Sequence, residues 1–148
     1  MRLLFLINDY LILVLMISGI HHVSLEVRKL QDMIDFYSFL GFKVTKTAFL
    51  EERKTRLDML CHQTGACLEF SSRLSTEAID WSDADEPDGR VKSSDHIALG
   101  VDDLDIEVSN IKNRGISFEV PPKVGKFGRF AFLRDPEGNL LELIEDLR

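Results

Sequence analysis

The sequence predicts an α+β fold of two βαβββ modules, because the second half of the chain repeats the pattern of the first. Residues 22–30 read HVSLEVRKL and residues 96–104 read HIALGVDDL, so each half opens on a histidine followed by alternating apolar residues. The halves also end alike, with GACLEF at 65–70 and GNLLEL at 138–143. Alternation of this kind is typical of strands that are buried on one face.

Each opening strand is followed by a stretch that predicts a helix, since its apolar residues recur at helical spacing. These residues are Leu30, Met33, Ile34 and Tyr37 in the first half, and Leu104, Val108 and Ile111 in the second. Gly41 lies 19 residues after His22, and Gly115 lies 19 residues after His96. A glycine readily adopts the left-handed conformation that often ends a helix, so both glycines are predicted helix ends. The predicted strands FKVTKTAF and ISFEV follow them.

The two modules are predicted to span residues 20–72 and 95–146. The stretch between them, 73–94, is polar and acidic and predicts a linker with one helical turn. Together they form one domain over residues 18–147, a size that suits a single domain.

The first 17 residues are a separate, strongly apolar extension, 1–17. Asn8 and Asp9 interrupt it, so its longest apolar run is too short to span a bilayer comfortably. Our preferred interpretation is that translation starts at Met16 and that the upstream residues are a gene-model artefact. A signal or anchor segment and an additional structural element are the alternatives.

The composition excludes several kinds of partner. The 148 residues carry a net charge of -7, and nucleic-acid binding needs clustered Lys and Arg. The same acidic balance argues against an anionic membrane surface. Cys61 and Cys67 form no CxxC pair, and two cysteines are too few for a disulfide framework. We therefore expect unpaired core cysteines, a reducing cytosol and a cytoplasmic location.

Strand alternation places one histidine and one glutamate of each module on the face away from the core. His22 and His96 each precede an apolar residue of the core face, and Glu69 and Glu142 each stand between two such residues. If the two sheets curl towards each other, the four side chains converge. Two imidazoles and two carboxylates suit one divalent metal such as Zn, Ni, Co, Mn or Fe. His21 has the opposite parity and is left out of this set.

Five stretches of the chain resemble the vicinal oxygen chelate superfamily, especially its glyoxalase I-like (lactoylglutathione lyase-like) members. They read IHHVSLEV, DFYSFLGFKV, GACLEF, DHIALGVDDL and FGRFAFLRDPEGNLLELIE. The resemblance implies two βαβββ modules that form an open cupped sheet around one metal. It also implies a homodimer, often with the metal shared across the interface. The ligand positions of glyoxalase I match His22, Glu69, His96 and Glu142.

The function that the resemblance implies is a metal-dependent lyase or isomerase. Its small-molecule substrate would be an α-hydroxy or α-keto compound, or a thiol adduct of one, that reacts through a metal-chelated enediolate. A carboxylate at the metal shuttles the proton, and Glu142 is our candidate, with Glu69 as the symmetric alternative. Two alternatives stay open: a fosfomycin-type thiol or water transferase, and a metal-free protein that sequesters a drug.

The positions expected to contact substrate depart from the family pattern. Glu26 stands where glutathione-dependent members carry an Arg that grips a carboxylate, and Arg73 stands where they carry an Asn. A negative Glu26 is expected to repel a glutathione carboxylate. Arg129 is our candidate for recognising substrate charge, because Arg pairs with carboxylate or phosphate in a bidentate manner. Arg56 and Lys126 are further candidates of the same kind.

Overall fold

The structure, a computed structural model, describes residues 4–7, 10–13, 19–73 and 95–146. The first two ranges are the strands β1 (Leu4–Ile7) and β2 (Tyr10–Leu13), which pair antiparallel. The preferred start at Met16 and its two alternatives stay predictions. Within these four ranges, no helix is long and apolar enough to cross a membrane.

The first module folds as β-α-β-β-β around a four-stranded mixed sheet. Strands β3 and β6 lie side by side in parallel, and the remaining pairs are antiparallel, in the order β3-β6-β5-β4. The elements are β3 (Val23–Glu26), α1 (Leu30–Phe39), β4 (Lys43–Leu50), β5 (Thr55–Cys61) and β6 (Cys67–Arg73). A short 3-10 turn, Glu51–Arg53, connects β4 to β5.

The second module repeats this topology in the order β7-β10-β9-β8, again with its first and last strands parallel. Its elements are β7 (His96–Gly100), α2 (Leu104–Asn113), β8 (Phe118–Val124), β9 (Gly128–Arg134) and β10 (Leu140–Asp146). The α+β fold of two βαβββ modules is therefore confirmed. The predicted linker lies outside the described residues from 74 to 94, and β6 includes residue 73.

The helical spacing read from the sequence is confirmed by burial. Met33 and Tyr37 of α1 are buried, as are three residues of α2: Leu104, Val108 and Ile111. They join apolar residues of both sheets in one core cluster. Gly41 and Gly115 follow the helices with φ values of 92° and 79°, the left-handed conformation expected of glycine at these ends.

The RDPEGN turn of the second module, residues 134–139, contacts the start of α1 in the first module. The carboxylate of Glu137 accepts hydrogen bonds from the backbone N–H groups of Arg28 and Lys29, both at 2.5 Å. These donors lie at the N-terminal end of α1, where N–H groups have no partner within the helix. Asp135 orders the turn itself by accepting from the backbone N–H groups of Glu137 and Asn139.

The expectation of unpaired cysteines is wrong in this structure. Cys61 ends β5, Cys67 begins β6, and the two form a disulfide across a Cα–Cα distance of 4.2 Å. They are direct partners in the antiparallel register of the two strands. Their spacing in the sequence did not reveal this pairing, because it follows from the turn that joins β5 to β6.

Candidate metal and substrate site

The first module brings one histidine beside one glutamate at the end of its parallel strand pair. Ser24 and Glu69 are register partners on β3 and β6, and the Ser24 hydroxyl donates to Glu69 Oε1 at 3.2 Å. His22 Nε2 lies 4.0 Å from the same oxygen. Both side chains stay accessible, with 32% of His22 and 21% of Glu69 exposed. His21 contacts His22 through an Nδ1–Nδ1 distance of 2.7 Å.

The second module repeats the arrangement with a closer contact. His96 Nε2 lies 3.0 Å from Glu142 Oε2. The His96 ring also packs edge-on against Phe132, which is the register partner of Glu142 on β9. Only 14% of the Glu142 side chain is exposed, so this half-site is more sheltered than the first.

The four predicted ligands form two pairs within one chain, and the two pairs do not combine. Among residues 19–73 and 95–146 there is no group of three or more His, Cys, Asp or Glu side chains arranged to hold a metal. The condition that the two sheets curl until all four side chains meet is therefore not fulfilled inside one chain. The physical reason is that each parallel strand pair joins the histidine strand of a module to the glutamate strand of the same module.

An open cleft of about 570 Å³ lies on the Glu69 face of the first sheet. Its walls come from β3, the end of β4, the turn before β5, β5 and β6. Its lining residues are Ser24, Glu26, Leu50, Arg53, Thr55, Leu57, Glu69, Ser71 and Arg73. In the cleft, Arg73 Nε lies 3.0 Å from Glu26 Oε1. The negative charge expected to repel a carboxylate is therefore already paired with a guanidinium.

Arg129 lies on the opposite face of its sheet from Glu142, and its assignment to substrate binding stays a prediction. It is the register partner of Glu145, whereas Glu142 pairs with Phe132 three positions further along β9. Its guanidinium contacts Asp105 of α2 at 2.7 Å and Glu145 at 3.2 Å. The hydrogen bond from Arg129 lowers the pKa of the Asp105 carboxyl below its ordinary value. Arg129 thus ties α2 to the sheet.

Arg56 occupies the equivalent position of the first module, and its substrate role likewise stays a prediction. It lies three residues before Met59, the register partner of Glu69, and so faces the helix side. Its Nε atom lies 2.7 Å from Asp58 Oδ2, and the Asp58 side chain is fully buried. Lys126 is exposed in the turn between β8 and β9.

Reasoning from the sequence missed three residues of the cleft: Ser24 as the support of Glu69, Arg53, and Arg73 as the partner of Glu26. Strand parity contained the signal for Arg73, since it lies four residues after Glu69 on the same strand and therefore on the same face. The same parity, applied to Arg56 and Arg129, separates them from their glutamates.

Comparison with known proteins identifies the class to which this fold and these paired side chains belong. The model of the Glyoxalase/Bleomycin resistance protein/Dioxygenase superfamily matches residues 19–143, so the chain belongs to this superfamily. It is 31% identical over 131 residues to a probable lactoylglutathione lyase of Vibrio cholerae, covering 84% of this chain and 88% of that protein. It is also 31% identical over 130 residues to a lactoylglutathione lyase of Salmonella typhimurium, covering 84% and 90%.

The architecture is shared with solved structures of the same superfamily. A glyoxalase family protein from Enterococcus faecalis superposes with a TM-score of 0.68 at 26% identity, covering 86% of this chain and 98% of that one. The predicted resemblance of this chain to glyoxalase-like proteins is thereby confirmed.

Proposed function

We propose that this protein is a metal-dependent glyoxalase-type lyase or isomerase acting on an α-hydroxy or α-keto compound or its thiol adduct. The observation that carries the proposal is the duplicated His–Glu pair, at 4.0 Å in the first sheet and 3.0 Å in the second. Relatives named lactoylglutathione lyase at 31% identity support the same reaction class.

The donor atoms fit one divalent metal of the borderline class. His22 and Glu69 would supply half of the ligands, and His96 and Glu142 the other half. In each pair an imidazole nitrogen and a carboxylate oxygen face each other at a distance that an ion between them would adjust only slightly. Ser24 orients Glu69 by donating to it, as a residue behind a metal ligand typically does.

Because neither pair is a complete site within the described part of one chain, we propose that two chains complete it as a homodimer. The pair of the first module in one subunit would face the pair of the second module in its partner. A two-fold dimer then contains two equivalent sites, because each contact of a two-fold interface occurs twice.

When bound, the metal would supply Lewis-acid stabilisation of negative charge on the substrate oxygens. Glu142 is the proposed base: its carboxylate would take the C–H proton beside the carbonyl and return it to the neighbouring carbon. It is the less exposed of the two glutamates, with 14% of its side chain exposed against 21% for Glu69, and lower access of water would slow exchange of the transferred proton.

Subunit mixing tests the shared site directly. We would prepare Glu69→Ala and Glu142→Ala chains with different tags, isolate the mixed dimer, and measure its metal content and its turnover of methylglyoxal thiol adducts. In a shared arrangement, both defects fall in one site of the mixed dimer and the other site is intact. We expect the mixed dimer to regain about half of the wild-type metal and activity, while each parent dimer retains little of either.

A site confined to one chain gives a different result, since each subunit of the mixed dimer would then carry one defect. No recovery in the mixed dimer, together with normal dimer formation, would contradict the shared site. The matched control is a mixed dimer of wild-type and doubly substituted Glu69→Ala/Glu142→Ala chains, in which each shared site has one defective half and no recovery is expected.

A further inference from the structure

We propose that the disulfide joining β5 to β6 is a thiol-exchange site at which a low-molecular-weight thiol attaches to Cys67. The adduct then lies against His22 and Glu69, the His–Glu pair of the first module. The exchange needs neither metal nor turnover, so it can be tested by itself. Its consequence for metal binding rests on the proposed function, because that function makes this pair one half of the metal site.

Cys67 is next to both members of the first His–Glu pair. It is two residues before Glu69 on β6 and therefore on the same face, at roughly 7 Å between Cα atoms for about 3.3 Å per residue. Val23 of β3 is the register partner of Leu68 of β6. His22 and Cys67 each come one residue before this register pair, so they are neighbours across two strands that lie about 4.8 Å apart. A group attached to Cys67 therefore fills space beside the imidazole and the carboxylate together.

The disulfide lies at the turn end of the β5–β6 hairpin, where a thiol in solution can reach it. Cys61 is the last residue of β5 and Cys67 is the first residue of β6. Both are partly exposed, and residues 63–66 of the turn between them are exposed. Thiol–disulfide exchange depends on the access of a thiolate to one of the two sulfurs. The position in the sheet provides this access.

The contacts of the two sulfurs differ, and they decide which sulfur is attacked. Thr45 Oγ1 lies 3.7 Å from Cys61 Sγ, close enough for its hydroxyl to donate to negative charge on that sulfur. The same hydroxyl lies 3.1 Å from the carbonyl oxygen of Met59, but a thiolate is the stronger acceptor because it is charged. Cys67 Sγ instead lies 3.7 Å from the carbonyl oxygen of Gly65, which disfavours negative charge. Cys61 is therefore the leaving group and Cys67 the sulfur that is attacked.

The exchange balances without a further oxidant. The small thiol loses its proton to water, and its sulfur forms a new bond to Cys67 Sγ. The bond between Cys67 and Cys61 breaks, and its electron pair leaves on Cys61 as a thiolate that water protonates. The incoming sulfur is thereby oxidised and the Cys61 sulfur reduced. Attack by Cys61 on the adduct reverses the step and releases the small thiol.

Trapping the singly modified protein is the test. Oxidised protein would be treated with 2-mercaptoethanol, quenched with N-ethylmaleimide at a series of times and digested with trypsin, which leaves both cysteines in one peptide, 57–73. Tandem mass spectrometry should find mercaptoethanol on Cys67 with maleimide on Cys61 roughly ten-fold more often than the reverse. Equal amounts of the two products, or no singly modified peptide at any time, would overturn the proposal.

Thr45→Val isolates the role of the hydroxyl, because it keeps the shape of the side chain and removes the donor. The preference for Cys67 should fall to about two-fold or less in this variant. Thr64→Val is the matched control: this hydroxyl lies in the same hairpin, contacts His62 Nδ1 at 2.8 Å, and should leave the preference unchanged on removal. A full preference in Thr45→Val would overturn the role given to Thr45.

Nickel binding tests the consequence for the His–Glu pair. The Cys61→Ser protein keeps one thiol, and its reaction with bis(2-hydroxyethyl) disulfide places a neutral adduct on Cys67. The Kd for nickel should be about ten-fold higher than in the same variant without the adduct, and reduction should restore it. The same adduct on Cys61 in the Cys67→Ser protein should have a smaller effect, since β5 is one strand further from β3.

The outcomes separate this proposal from the proposed function. Exchange at Cys67 in a protein that binds no nickel in any form would sink the metal-dependent function and keep the exchange site. Nickel binding in a protein whose disulfide does not exchange would sink the exchange site and keep the function. An unchanged nickel Kd with the adduct on Cys67 would overturn the placement of the adduct against the His–Glu pair.

Discussion

The hydroxyl of Tyr37 donates a hydrogen bond of 3.2 Å to the carboxylate of Asp135, a residue 98 positions away in the other module. Tyr37 is fully buried and Asp135 nearly so. Asp135 also accepts two backbone hydrogen bonds within its own turn. The contact therefore connects the core face of α1 to the turn that precedes β10, and β10 carries Glu142.

This contact predicts a stability loss at alkaline pH. Burial, then the charge of Asp135 and the hydrogen bond to it, raise the pKa of Tyr37 above its ordinary value of 10.0. Above that pH the unfolded chain releases the proton and the folded one keeps it. The contribution is thus fully present below pH 10 and is lost at about 1.4 kcal/mol per pH unit above it.

Tyr37→Phe isolates this effect. Near neutral pH the variant should be less stable by about 1 kcal/mol, because it loses the hydrogen bond. Above about pH 10 the difference should shrink and then reverse, since the variant has no proton to release at this site. Urea unfolding of both proteins across this pH range measures it, and a constant difference would contradict the raised pKa.

Removing the carboxylate of Glu137 should loosen the start of α1. Glu137→Ala leaves the N–H groups of Arg28 and Lys29 without their acceptor and should cost about 1–2 kcal/mol, as the loss of a helix cap does. Glu137→Gln keeps an oxygen acceptor and should lose less. Denaturant unfolding gives the free energies, and hydrogen exchange at these two amides shows whether the loss is local.

The disulfide between Cys61 and Cys67 should contribute about 2 kcal/mol to stability when it is formed, because it closes a short loop in the unfolded chain. Thermal unfolding with and without a dithiol reductant measures this contribution. The Cys61→Ser/Cys67→Ser double variant should show no response to the reductant. Titration of two free thiols in protein purified without reductant would show that the bond does not form under those conditions.

Glu142 and Glu69 should differ in their effect on the chemical step. Glu142→Gln is expected to lower kcat by roughly 100-fold or more, the contribution typical of a general base, with a smaller loss for Glu69→Gln. Steady-state kinetics on methylglyoxal thiol adducts should be compared at equal measured metal content. A larger loss of kcat for Glu69→Gln would instead assign the role of general base to Glu69.

Metal analysis separates the proposed enzyme from its alternatives. Protein purified without chelators should contain about one divalent ion per chain, and removal of the ion should abolish turnover until nickel, cobalt, manganese or zinc is returned. Metal-dependent turnover of fosfomycin, with no turnover of methylglyoxal thiol adducts, would favour the thiol or water transferase. Less than about one tenth of an ion per chain, with no rescue by added metal, would favour the drug-sequestering protein.

Much of the candidate site was predictable because strand alternation is a local property. The residues around Glu69 and Glu142 alternate with a period of two, and this period alone assigns both carboxylates to the face away from the core. The same rule would have placed Arg129 with Glu145 on the helix side. Its assignment to the substrate followed from residue type, which carries no information about the face.

Other contacts depended on register between distant strands. Cys61 and Cys67 meet because β5 and β6 pair in one particular alignment, and Arg73 meets Glu26 because β3 lies parallel beside β6. A shift of one residue in either pairing would send these side chains to opposite faces.

The sequence by itself determined the duplicated βαβββ topology, the buried face of each helix and the side of the sheet on which each histidine and glutamate lies. These features follow from periods of 3.6 and 2 residues, which are properties of short stretches of chain. The tertiary structure decided which side chains meet: His22 with Glu69, His96 with Glu142, Glu26 with Arg73 and Tyr37 with Asp135. Such meetings require the packing of segments far apart in sequence, and only the folded chain brings them together.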